Sequence, residues 1–116
     1  MIWDFTAPSA GYNTVGREFL EYFMKKRTKM GIWVSQIAAR NAWSELVQSE
    51  DEKYLRKTYL IPKEFGIDTE LAIYDNKVLM ASFSAERPLA VIVEDKGIAE
   101  SLKTIFRYVE TTIAKG

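Results

Sequence analysis

The chain has no cysteine and no histidine among its 116 residues. Without cysteine there is no disulfide, no thiolate metal site and no thiol nucleophile. Without histidine the commonest general base at neutral pH and the commonest zinc ligand are both missing. No apolar run approaches the ~20 residues that span a bilayer. The opening "MIWDFTAPSAGY" has neither a basic n-region nor a long apolar h-region, so it does not read as a signal peptide. A reduced, cytoplasmic setting is the expectation. Excess charge is missing too: 16 Lys and Arg balance 16 Asp and Glu. Nucleic-acid binders draw most of their affinity from neutralising phosphates, so a balanced chain argues against an independent grip on DNA. Repeats, low-complexity segments and linkers are not evident.

What is present suits one globular domain. Apolar residues make up 47% and charged residues 28%, and a chain of this size buries roughly 65% of its unfolded surface. "MIWDF" reads as a buried strand broken by "TAPSAGYN". From about Tyr12 to Lys29, Val15, Phe19, Leu20, Phe23 and Met24 fall three and four apart, on one helical face, and Gly31 follows as a stop. "GIWVSQI" reads as a second strand. Residues 38–57 read as a weak helix whose apolar contacts are Trp43, Leu46, Val47 and Tyr54. "TYLIP" is a short strand, and "KEFGI" a loop. "TELAIYD" and "KVLMASFS" form a hairpin turning at Asp75-Asn76, residue types that tolerate positive φ. "PLAVIVED" is apolar on both faces, so it is expected to be a central, covered strand. Ile98, Leu102, Ile105, Phe106, Val109 and Ile113 mark one face of a final helix. The order β-α-β-α-β-β-β-β-α predicts an α/β domain, a mixed sheet of about six strands with helices packed on it. In such sheets ligands bind beyond the carboxyl ends of the strands.

Several residues there carry chemistry. Asp4, Thr6, Ser9, Tyr12 and Asn13 follow the first strand and offer a carboxylate, hydroxyls and an amide. Ser9 or Asn13 would serve equally as a helix N-cap. Trp3 fits the core better than a ligand platform, and Tyr12 is the better ring for stacking on a sugar. Arg40, after the second strand, either faces solvent or turns towards Asp4, Asp68, Glu70 or an anionic ligand. The cluster "KKRTK" complements the dipole at a helix C-terminus. "SEDEK" (residues 49–53) lacks the glycine-centred spacing of a cation loop and reads as a solvated loop.

The hairpin holds Asp68-x-Glu70-x4-Asp75, then Ala81-Ser82-x-Ser84. This spacing is that of the H-x-K-x4-D and G-S-x-N elements of phospholipase-D-like enzymes, with the gap between the elements one residue shorter than usual. It is equally the spacing of a plain hairpin. Asp68 stands at the histidine position and Glu70 at the lysine position, and two acids would repel a phosphate.

The wider pattern adds "IWDFTAPS", "YFMKKRTKMGIWV", "YLIPKEFGIDTELAIYDNKV" and "ERPLAVIVEDKGIAESLKTIFRYVE". Together these resemble the C-terminal effector domain of TrmB-type transcriptional regulators, a catalytically degenerate phospholipase-D-like half, over nearly the whole chain. The resemblance implies no enzymatic activity and no cofactor. It implies a sugar or metabolite effector, contact with DNA only through a helix-turn-helix domain not contained in these residues, and a homodimer in which the halves pair around the motif. Sites expected to contact ligand are Asp4, Thr6, Tyr12, Arg40, Asp68, Glu70 and Ser82, with no metal. A carboxylate-dependent hydrolase or phosphodiesterase using Asp68 and Glu70, and a pure protein-interaction domain, are the alternatives.

Overall fold

The computed structural model describes residues 1–7, 17–82, 86, 87 and 89–115, without the side chains of residues 17–20, 23 and 115. Six strands form one mixed sheet: β1 (Ile2–Thr6), β2 (Val34–Ala39), β3 (Arg56–Ile61), β4 (Thr69–Tyr74), β5 (Lys77–Ser82) and β6 (Leu89–Glu94). Among the described residues three α-helices accompany it: α1 (Arg17–Lys29), α2 (Ala42–Ser49) and α3 (Lys96–Lys115). The spatial order is β3-β2-β1-β4-β5-β6. β1, β2 and β3 are parallel, and β4, β5 and β6 add antiparallel to the other side of β1. Helical crossovers build the parallel half and turns build the antiparallel half, as chain connectivity requires.

Local chemistry explains the boundaries. α1 ends at Gly31, whose φ is +71°. The Gly31 amide donates to the Thr28 carbonyl and the Ile32 amide to that of Arg27, the paired bonds of a glycine-terminated helix. Asn41 and Ser44 cap α2 reciprocally, each side chain accepting from the other's backbone amide at 2.8 Å. Asp75 opens the β4–β5 turn at a φ of 52°.

The two faces of the sheet differ. Ile37, Ile73 and Val78 form a core with Ala99 and Phe106 of α3, and Trp3, Phe5, Tyr59, Ile61, Leu71, Leu102 and Val109 pack against it. Phe5 and Phe106 meet edge to face at 6.5 Å. The opposite face carries a polar layer beneath α1 and α2. Arg27 of α1 is buried and donates to the carbonyls of Ile32, Tyr54 and Leu55. Asp51 accepts from Arg56 Nε at 2.8 Å and from the Thr58 amide and hydroxyl at 2.7 Å.

Three expectations are corrected here. β6 is not central and covered: it is the last strand of the sheet, and Leu89, Val91 and Ile92 are 62%, 39% and 61% exposed. Its apolar sequence suits burial on two faces, but the last position in the sheet leaves it uncovered. The apolar face of α3 is narrower than its sequence pattern. Phe106 is buried, while Ile98 and Ile105 are exposed, because only the stripe of Ala99, Leu102, Phe106 and Val109 meets the sheet core. The acidic run after α2 is not simply solvated, since Asp51 turns inward to hold Arg56 and Thr58. Val15 and the first turns expected from Tyr12 lie outside the described residues.

Candidate functional site

The parallel register sets Asp4 opposite Gln36, and Gln36 opposite Thr58. On its other side Asp4 faces Ala72 of β4. These four make one row across the helix-covered polar face, in which Gln36, Thr58 and Ala72 are buried. One row nearer the carboxyl end of β1, Thr6 stands beside Glu70 and donates its hydroxyl proton to Glu70 Oε2 at 2.5 Å. Alternation along β1 and β4 therefore sends Asp4, Thr6 and Glu70 to the same side of the sheet.

Asp4 is the unusual member. Its Oδ1 is buried and finds no hydrogen-bond partner among the described residues. Burial pushes its carboxyl well above the usual carboxylate range, and a hydrogen bond and negative charge from Glu70 push it further. Arg27 and Arg56 pull the other way with less effect. Both cations are engaged, Arg27 with three carbonyls and Arg56 with Asp51 and the Val47 carbonyl. Asp4 therefore carries its proton under conditions where an exposed aspartate has lost it. The result is an acid pair with one free buried oxygen. The free oxygen can accept a hydrogen bond from a ligand, while the Asp4 proton is held in the hydrogen bond to Glu70. A cation-binding cluster of three or more acidic side chains is absent among the described residues.

The other expected site residues are dispersed. Arg40 follows β2 but its guanidinium pairs with Glu45 at 3.3 Å, both side chains more than half exposed. The cap that starts α2 turns the chain there and carries Arg40 to the surface. Asp68 is exposed, one residue before β4. Ser82 pairs with Thr69 in register, on the sheet face opposite Glu70. Ser9, Tyr12, Asn13 and Ser84 lie outside the described residues. Trp3 packs on the core, with the Lys103 ammonium 5.4 Å from its ring centre.

No family model, curated protein or solved structure matches this chain.

Sequence reasoning missed Gln36, Thr58, Arg27 and Arg56 as neighbours of the acid pair. Gln36 is an isolated polar residue in an apolar strand, which is a signal of a kind. The two arginines have none, because their place depends on how α1 and β3 come together.

Among the described residues, no helix is long and apolar enough to cross a membrane.

Proposed function

We propose that this chain is a non-enzymatic ligand-binding and dimerising module, the effector domain of a transcriptional regulator. The observation that carries the ligand half is the buried Oδ1 of Asp4, unpartnered among the described residues, beside Glu70 and Thr6. Asp4 lies mid-strand and Thr6 is the last residue of parallel strand β1, beyond whose carboxyl end α/β sheets take ligands. An uncompensated buried oxygen costs about 1–3 kcal/mol, and a bound hydroxyl would offset that cost. The chemistry favours a neutral, hydroxyl-rich ligand such as a sugar or polyol over a phosphate or carboxylate, which acids repel. The sequence resemblance to TrmB-type effector domains, and the acids at the two positions where catalysis would need histidine and lysine, support the regulatory, non-enzymatic reading. Such a module would reach DNA through a separate helix-turn-helix domain.

Thermal denaturation against neutral sugars and polyols, with inorganic phosphate and simple carboxylates as the opposing set, tests the ligand half. A ligand at 100 times its dissociation constant adds ~2.7 kcal/mol. The expected result is stabilisation by a neutral member, weakened at least tenfold in affinity by Glu70→Gln. A flat response to every neutral ligand counts against the reading. So does phosphodiesterase turnover that Glu70→Gln abolishes.

A further inference from the structure

The proposed function asks for a homodimer; the sequence resemblance implies halves paired around the Asp68–Asp75 motif, whereas the sheet offers a different surface at its β6 edge. We infer that two copies join through their β6 strands, antiparallel about a two-fold axis at Val91, to make one continuous sheet. This inference rests on the dimer half of the functional reading and is independent of its ligand half.

Among the described residues β6 ends the sheet, and no strand pairs with the backbone groups of its outer edge. The register identifies which ones. The Asp95 amide donates to the Asn76 carbonyl, and Asp95 stands opposite Asn76 by extension of the β5–β6 pairing. Backbone groups alternate in direction along an antiparallel strand. Residues 89, 91, 93 and 95 therefore bond inward to β5, and Ala90, Ile92 and Glu94 present theirs outward. Natural edge strands are guarded by lysine, proline, bulges or inward charges. "LAVIV", residues 89–93, contains none of these residues. Met80, Leu89, Val91, Ile92, Ile98 and Ile105 are 44%, 62%, 39%, 61%, 47% and 57% exposed.

The strand is complementary to itself in one register. Pairing about Val91 sets Val91 on Val91 of the second copy, Leu89 on Val93 and Ala90 on Ile92, so every pair within residues 89–93 is apolar. Ala90 and Ile92 exchange the outward hydrogen bonds, and the Val91 pair becomes a close, non-hydrogen-bonded one. Shifting the axis to Ile92 puts Ala90 on Glu94 and Leu89 on Asp95. Shifting it to Ala90 puts Glu86 on Glu94. Of these registers only the one about Val91 pairs apolar with apolar throughout residues 89–93. The equal count of acidic and basic residues removes net repulsion between copies. The axis stands perpendicular to the sheet, so both α3 helices lie on one side of it. This is the self-complementary patch that closed two-fold dimers need.

The chain has no cysteine, so a single introduced cysteine reports only on contact between copies. Non-hydrogen-bonded partners lie about 4.5 Å apart at Cα, within disulfide reach. Val91→Cys should therefore cross-link to a covalent dimer under mild oxidation, while Ala90→Cys, two positions out of register with itself, should not. Sedimentation equilibrium of the unmodified chain should show a dimer, and Val91→Lys should raise its dissociation constant at least tenfold with an unchanged circular dichroism spectrum. If Val91→Lys fails to fold, Ile92→Lys replaces it. A monomer at several hundred micromolar overturns both this interface and the dimer half of the proposed function. A dimer indifferent to Val91→Lys, or captured by Ala90→Cys in place of Val91→Cys, overturns the interface alone. Open-ended aggregation without a discrete dimer overturns the closed pairing.

Discussion

Thr6 and Glu70, 64 residues apart in sequence, share a 2.5 Å hydrogen bond across β1 and β4. That bond orients one carboxylate oxygen of Glu70 and leaves the acid pair with Asp4 intact. The antiparallel addition of β4 to β1 creates the contact. It joins the two halves of the sheet at the place where a ligand is proposed to bind.

The protonated state of Asp4 has a consequence for stability. Its folded carboxyl lies well above the unfolded value, chiefly through burial and then through Glu70. The folded state thus binds the proton more tightly, and stability falls as pH rises. The contribution is fully present below about pH 4, the unfolded aspartate range, and is lost as pH climbs through the folded value. Urea denaturation of wild type and Asp4→Asn across pH 4–8 should show the variant gaining on wild type as pH rises. A constant difference across that range would contradict the assignment.

Asp51 holds Arg56 and Thr58, and its ion pair with Arg56 is mostly buried, the two side chains 15% and 5% exposed. Asp51→Ala strands a buried guanidinium, which costs about 3–5 kcal/mol. Equilibrium unfolding in urea should show this as a lower midpoint. Asp51→Asn, which keeps one acceptor, should lose less.

Phe106 is 3% exposed and meets Phe5 edge to face. Phe106→Ala leaves a cavity between α3 and the sheet, at a cost of about 3–5 kcal/mol. Thermal unfolding should fall by more than 10 °C, since about 1 kcal/mol moves the midpoint of a domain this size by roughly 4 °C.

Gly31 ends α1 at a φ of +71° with open space around it. An alanine there meets no steric clash and pays only for the left-handed backbone. Gly31→Ala should destabilise by about 1 kcal/mol, while Gly31→Asn should lose less, because asparagine tolerates that conformation. Denaturation midpoints of the two variants separate backbone strain from lost packing.

Much of the fold is local chemistry and was legible in the residues. The order of strands and helices, the Asp75-Asn76 turn and the Gly31 stop follow from period, turn preference and backbone freedom, which act over a few residues. Asp4, Thr6 and Glu70 could be named as polar residues near strand ends, but nothing in their spacing said that β4 joins β1 antiparallel and sets them side by side. That register also sends Ser82 to the other face, and the capped start of α2 takes Arg40 to Glu45. β6 marks the boundary most clearly. Its apolar pattern determined that it would be a strand wanting cover on both faces. Only the tertiary arrangement decided that it ends the sheet, because strand order is set by which edges the connecting chain can reach.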